Sequence, residues 1–417
     1  MYDAIAREVV RRCRYLATCS DEPGCTTRTF LSASMRAVHA EVSRWMTDAG
    51  MRVHVDAAGN IRGVYPGRSD GSRPLYIGSH LDTVPHAGAF DGVLGVVIGV
   101  ALVDSLRGRR LPFGIEVVGF SEEEGVRFGI PFIGSRAVVG EVDAALLAAT
   151  DASGTSVAQA IGDFGLDASR IADARAASNP VGYLEFHIEQ GPVLDTLRRP
   201  VAVVNRIAGR TYADVTFIGS AGHAGTTPMD ARHDALTAAA EWIGCVEAQG
   251  RGTGGLVATT GRIEAAPGAA NVIAGRCRVT LDVRHGDDGV RTAAVDRLRA
   301  AAQEIAARRG LTVEWSPRFD SAAVAMHPAL VAMLTRAVER AGATANVMSS
   351  GAGHDAMILA PHMPAAMLFI RTPGGLSHYP DEAVMEEDVG VALAAGAYFL
   401  DELAGVSEDP PLHSVDD

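Results

Sequence analysis

No lysine occurs in this 417-residue chain: all 37 basic residues are arginine. That absence excludes a Schiff-base lysine for pyridoxal chemistry, a Walker-type phosphate lysine, a kinase lysine and any lysine nucleophile. Cysteine is scarce as well. The five (Cys13, Cys19, Cys25, Cys245 and Cys277) are odd in number and contain no C-x-x-C pair. This speaks against a secreted disulfide framework and against a structural thiolate zinc site, and predicts reduced, partly buried thiols. No uninterrupted apolar run reaches membrane-spanning length, and Met1 to Arg14 mixes charges with apolar residues where a signal peptide has an apolar core. Positive charge is also in deficit. A net charge of −13 and a pI near 5.5 argue against nucleic acid or an anionic membrane as partner. The expected setting is cytoplasmic.

What is present is ordinary globular material, 47% hydrophobic and 21% charged, with length for two domains. From the N-terminus to about Asn205, helix-like and strand-like segments alternate. Arg36–Ala49 has helical periodicity, Met51–Val55 reads as a strand, and the apolar strands Leu75–His80 and Ile115–Phe120 flank a helix over about Gly92–Leu106. This alternation predicts an α/β domain, a mostly parallel sheet flanked by helices, with functional residues at strand C-termini. From about Arg206 the order changes. Tyr212–Ile218, Asp230–Gln249, Gly255–Ile263, Val272–Val283, Gly289–Arg309 and Leu311–Trp315 read as β-α-β-β-α-β, a ferredoxin-like domain inserted into the first. The expected division is a catalytic, metal-binding domain of residues 1–205 and 321–417. An inserted domain of residues 206–320 would serve as dimer surface and substrate lid. The tail from Ser407 is expected to fray.

The chemistry concentrates at the predicted strand ends. His80 closes an apolar run in Gly78-Ser79-His80-Leu81-Asp82-Thr83-Val84-Pro85, and Asp91 follows in Phe90-Asp91-Gly92. A pair of divalent metals needs a bridging carboxylate with terminal N and O donors on either side, and Asp91 suits the bridge. Asp82, two residues beyond His80, is positioned to orient the imidazole as an outer acceptor. Glu122-Glu123-Glu124 follows the next strand. An acidic triplet is ordinarily a solvated loop or helix start, but here the strand carries it toward the same crevice as His80. Adjacent carboxylates can then divide the work, one ligating metal and one accepting a proton. His187 lies in Leu184-Glu185-Phe186-His187-Ile188, whose alternation turns it away from the apolar face. His378 stands in the Gly-rich loop Gly374-Gly375-Leu376-Ser377-His378. Two other motifs are discounted: Gly351-Ala352-Gly353 lacks the third glycine of a dinucleotide loop, and Ser349-Ser350 is no nucleophile elbow.

Together these motifs resemble the aminoacylase- and carboxypeptidase-like binuclear metallohydrolases, specifically their amidase, carbamoylase and allantoate amidohydrolase branch. Gly222-His223-Ala224-Gly225, Asn271-Val272-Ile273, Asp282-Val283-Arg284-His285 and Gly351-Ala352-Gly353-His354-Asp355 extend the resemblance through nearly the whole chain. It implies that His80, Asp91 (bridging), Glu124, His187 and His378 hold two divalent metals, Mn or Zn foremost with Co or Ni able to substitute. It further implies Glu123 as general base and His223 as oxyanion donor to a neighbouring subunit. Gln190, Asn271, Arg284 and the Gly353 backbone would hold substrate, a small ureido carboxylate. Arg28-Thr29-Phe30-Leu31-Ser32 and Glu124-Gly125-Val126-Arg127-Phe128 resemble allantoate amidohydrolases most. The alternatives are an N-carbamoyl-L-amino acid hydrolase, a metallo-aminopeptidase or N-deacylase, and a non-catalytic binding protein.

Overall fold

A computed structural model describes residues 2–406, so the tail from Ser407 lies outside the described residues. Two compact units result. The first comprises the chain up to Asn205, Ala325–Met348 and the segment from Gly353; the second comprises Arg206–Val324 and Ser349–Ala352. The chain thus returns to the second unit for four residues around Gly351, which no local pattern foretold.

In the first unit, four strands run parallel in the order Gly114–Phe120, Pro74–His80, Gly182–Ile188 and Ala365–Ile370. Antiparallel strands flank them: Ile61–Tyr65 and Arg52–Val55 on one side, Val201–Ile207 on the other. Met51–Val55 is therefore the outer half of a hairpin, whose partner Ile61–Tyr65 the sequence did not announce. Every residue of Gly114–Phe120, Gly182–Ile188 and Ala365–Ile370 is buried, as expected of strands covered on both faces. Helix Val93–Ser105 shows the same logic: it is apolar all round, buried from Val93 to Val103, and packs on the parallel strands. Residues Asp3–Ala17 form an amphipathic helix with Ala6, Val9, Val10, Cys13 and Leu16 in the core. No helix among the described residues is long and apolar enough to cross a membrane.

The second unit is an antiparallel sheet. Gly209–Ile218 lies between Arg276–His285 and Thr312–Ser321, and Val257–Thr259 and Ile263–Ala266 pair with the outer side of Arg276–His285. With helices Ala235–Gly252 and Asp288–Arg308 this is the split β-α-β arrangement. Three boundaries differ from expectation for identifiable reasons. The helix expected from Asp230 begins at Ala235, because the Asp234 carboxylate caps Leu236 and Thr237 N–H. The run Gly255–Ile263 breaks at Gly261, giving two short strands. The run Val272–Val283 breaks at Gly275, so Val272–Ile273 leaves the sheet and pairs with Gly222–His223.

One buried group gives the fold a pH dependence. His39 on helix Ala33–Asp48 is 7% exposed, packs edge-on against Phe164 at 5.5 Å between centroids, and leaves Nε2 without a hydrogen bond. Burial, assisted by Arg36 and Arg28, lowers its pKa to about 4. The unfolded chain therefore binds a proton that the folded chain refuses between about pH 6.5 and 4. Stability is full above that window and falls as pH drops through it, by roughly 3 kcal/mol at the bottom. Urea denaturation of wild type and His39→Phe at pH 7 and pH 4.5 checks this: the variant should lose markedly less stability on acidification.

Candidate active site and metal centre

The parallel strands deliver their C-terminal residues to one place. His80 is the last residue of its strand and pairs with Phe120, one residue short of the acidic triplet; His187 is next to last in its own. Alternation puts Glu185 and His187 on the face opposite Phe186. Asp91 is brought in by the tight start of helix Val93–Ser105. There Glu382, 5% exposed, accepts the Phe90 and Asp91 N–H groups at 3.0 Å each.

Asp91 presents one oxygen to each of two groups. Oδ1 lies 3.3 Å from His187 Nε2 and 3.9 Å from His80 Nε2; Oδ2 lies 3.2 Å from His378 Nε2, which is itself 3.5 Å from Glu124. The donor sets His80–Asp91–His187 and Asp91–Glu124–His378 therefore share one carboxylate, and His80–Glu123–Glu124 also converge. All five residues that the sequence nominates as ligands come together here, with Asp91 common to both sets.

The donors fit cations. The Nδ1 atoms of His80 and His187 face the main-chain carbonyls of Asp82 and Ile188 at 3.0 and 2.9 Å. Carbonyls only accept, so these Nδ1 atoms carry hydrogen, and Nε2 is the nitrogen left for a metal. The two Nε2 atoms face each other at 3.4 Å. Proton affinities show the same shortage of positive charge. Burial pulls His187 down to about 4, keeping its Nε2 bare. His80 stays well above the usual imidazole value although burial opposes it, because Asp82, Glu123 and Asp91 favour its cation. The hydrogen bond with Asp91 lifts His378 to about 9. Burial, then the charge of Asp91, raises Glu124 to about 7. Bound divalent ions would meet that deficit.

Glu123, 8% exposed, is raised well above the carboxylate range by burial and by Glu124, Asp355 and Asp82, with His80 opposing. A carboxylate whose proton affinity is raised in this way is a stronger proton acceptor than a free one. Asp82 meets the His80 imidazole, as expected of an outer acceptor, and closest through its main-chain carbonyl. Its carboxylate is 3.5 Å from His80 Nδ1, but its close bonds, at 3.0 and 3.1 Å, are to the Glu123 and Glu124 N–H groups. The chain has left the strand by Asp82, so its main-chain carbonyl meets the imidazole while the carboxylate fixes the acidic pair. The triplet is no solvated loop: Glu122 is buried and closes on Gly125 N–H.

Gln190 stands at the cluster itself. Its Nε2 donates to both Asp91 oxygens at 3.1 and 3.2 Å, and its buried Oε1 has no partner. Gln190 and His378 both have positive φ, +59° and +56°, rarely adopted by residues other than glycine. Gly92 shows how tightly the ligands are set. At φ +66°, a Cβ there would lie 2.5 Å from the His80 ring. Gly92→Ala should therefore displace His80 and weaken metal binding by about tenfold or more. Calorimetric metal titration checks it, and unchanged affinity would refute the placement.

The remaining expected residues form two groups in the second unit, and Gly353 belongs to the first unit. An added Cβ at Gly353 would meet Phe132 at 3.1 Å. His223 pairs with Val272, and Asn271 accepts the Ala224 N–H at 2.9 Å, so these two exposed residues share one small ribbon. His223 Nδ1 accepts from Gly225 N–H at 3.1 Å, which leaves Nε2–H as the donor. Arg284 lines a cavity of about 570 Å³ with Tyr212, Val257, Thr259, Arg262, Thr280 and Asp282. Its guanidinium grips Asp282 at 3.0 and 2.9 Å and the Gly351 carbonyl at 2.7 Å, while Arg210 holds the same carboxylate at 2.7 Å. Two guanidiniums against one carboxylate leave an excess positive charge. The two groups are far apart: Ile218, just before the His223 ribbon, pairs with Arg276, and Arg284 is at the other end of that strand, roughly 27 Å away at 3.4 Å per residue.

The sequence reading missed Glu382, whose partners at Phe90 and Asp91 are almost three hundred residues away. It also missed the buried set behind His187. There the rings of His354 and His187 are 4.4 Å apart, and Glu185 accepts from Ser79 and from Ala356 N–H at 3.0 and 2.8 Å. The only local hint was an acid inside an apolar strand.

A shared carboxylate between two N/O donor sets, at the C-terminal edge of a parallel sheet, defines a binuclear metallohydrolase type of site. The sequence profile of peptidase family M20/M25/M40 matches residues 76–402, and the chain belongs to that family, whose members are metal-dependent. It is 38% identical to a probable allantoate deiminase of Oryza sativa subsp. japonica, over 96% of this chain and 90% of that protein. It is also 38% identical to an N-carbamoyl-L-amino acid amidohydrolase of Geobacillus stearothermophilus, over 88% of this chain and 91% of that one. A crystal structure of an amidase of the hydantoinase/carbamoylase family from Burkholderia multivorans superposes with a TM-score of 0.91 at 32% identity, covering 96% of this chain and 98% of that one.

Proposed function

We propose that the protein hydrolyses a ureido C–N bond in a small carboxylate, with allantoate the leading substrate and ureidoglycine, ammonia and carbon dioxide the products. The observation that carries this reading is the pair of donor sets joined through Asp91, with the proton-avid Glu123 beside them. His80 and His187 would hold one metal, Glu124 and His378 the other, with Asp91 between; N/O donors suit Mn or Zn and admit Co or Ni. Bound there, the ions would polarise the ureido carbonyl and lower the pKa of water from about 15.7 to about 7.

The chain's own groups do the rest. Glu123 takes the proton of the attacking water and returns it to the departing nitrogen. His223 Nε2–H donates to the carbonyl oxygen as charge develops on it. Arg284 and Arg210 supply the excess positive charge for the substrate carboxylate, with Gln190 and the Gly353 backbone as further polar contacts, while Asn271 acts together with His223, whose ribbon it shares. His223 and Arg284 cannot both touch one small molecule within a chain across roughly 27 Å. The reading therefore includes a homodimer, joined through the second unit, in which His223 serves the partner's site. Five free thiols accord with a reducing, cytoplasmic setting.

N-carbamoyl-L-amino acid hydrolysis is the second reading, favoured by the 38% identity to the Geobacillus protein. The two differ in demand: a second ureido group needs hydrogen-bond donors, an amino-acid side chain an apolar wall. Ammonia release from allantoate, measured beside a panel of N-carbamoyl-L-amino acids and dipeptides with Mn- and Zn-loaded protein, decides. Allantoate should have the highest kcat/KM; a dipeptide in first place would overturn the ureido reading.

A further inference from the structure

Cys25, Glu22 and His86 form a donor set that the reaction above does not use. His86 lies on the connection between His80 and Asp91, and Glu22 and Cys25 on the loop after helix Asp3–Ala17. The two segments are firmly joined. Thr26 and Ala87 form a β-bridge, His86 N–H donates to Thr27 Oγ1 at 3.0 Å, and Arg28 and Thr83 exchange bonds at 2.9 and 2.7 Å. Buried Arg28 pins both sides, donating to the Leu81, Leu16 and Cys19 carbonyls.

On this frame the three donor atoms lie within 4.8 Å of one another. His86 Nε2 is 3.0 Å and Cys25 Sγ 3.6 Å from the same Glu22 oxygen. A tetrahedral zinc-class ion with ordinary Zn–N, Zn–O and Zn–S bonds has N···O edges of about 3.3 Å and S···O edges of about 3.5 Å. The two edges to the Glu22 oxygen are within a few tenths of an ångström of those figures, and the nitrogen–sulfur edge is under 4.8 Å. His86 also holds φ +57°.

We propose that Glu22, Cys25 and His86 form a further metal site, taking one zinc-class divalent ion with water as fourth ligand. Its thiolate separates it chemically from the N/O-only cluster at Asp91. Binding replaces the thiol proton that Cys25 now directs at Glu22, so one proton leaves to solvent per ion bound and no redox change occurs. Because His86 sits midway between His80 and Asp91, the ion would clamp the N-terminal loop to the segment that carries both.

Cobalt(II) titration of the metal-stripped full chain tests this. A thiolate-to-cobalt charge-transfer absorption should appear in the near ultraviolet, which the N/O cluster cannot produce, whatever its own occupancy or activity. In Cys25→Ser the absorption should vanish and bound cobalt fall by one equivalent per chain. His86→Ala should weaken the same step by about tenfold or more. All three side chains are partly or fully solvent-exposed, so these variants should fold, which circular dichroism verifies. No charge-transfer absorption in the wild type, or an undiminished one in Cys25→Ser, overturns the proposal.

Discussion

Glu123→Gln should lower kcat on the order of 10³-fold while both metals stay bound, since removing a positioned proton acceptor costs about 10²–10⁴. The amide keeps the shape of the carboxylate and loses only its basicity. Neither set that shares Asp91 requires Glu123, although its carboxylate also approaches His80 and Glu124. Metal content measured with kcat therefore separates the two roles. Retained metal with lost turnover identifies the base. Lost metal would make Glu123 a ligand, and a near-normal rate would remove it from the mechanism. Substitution at Asp82 should act on the same step more weakly, because its carboxylate holds the N–H groups that aim Glu123 and Glu124 and lies 3.5 Å from His80 Nδ1 without meeting the reacting atoms.

How much of this was legible in the sequence depends on the range over which each feature is encoded. His80 and the acidic triplet were legible because each follows an apolar strand, and the C-terminal ends of parallel strands share one edge. The ferredoxin-like order was legible because strand-length and helix-length segments follow one another in that order along the inserted stretch. Glu382 was not, since a carboxylate in a loop shows its purpose only once Phe90 and Asp91 fold against it. The bonds of Asp82 depended on where the strand ends, a matter of one or two residues that pattern does not resolve. The breaks at Gly261 and Gly275 had the same cause: a glycine in an apolar run is compatible with a strand or its interruption, and pairing partners decide.

The dimer reading makes a prediction that depends on no substrate assignment beyond a working assay. Glu123→Gln and His223→Ala should each be nearly inactive, the second because an oxyanion donor contributes about 10²–10³ in kcat. Mixed and allowed to exchange subunits, the two should recover activity. In a mixed dimer, the site with intact Glu123 lies on the His223→Ala chain. It receives an intact His223 from the Glu123→Gln chain, while the other site lacks both groups. One site in two works in such a dimer, and random exchange makes half the dimers mixed, so about a quarter of wild-type activity should return. If His223 served its own chain, each chain of the mixed dimer would still lack one group and nothing would return. The roughly 27 Å along Arg276–His285 argues for the first outcome, because Arg284 at one end and the His223 ribbon at the other cannot enclose one small substrate. Full activity of His223→Ala by itself would remove the donor and, with it, the reason for a second subunit.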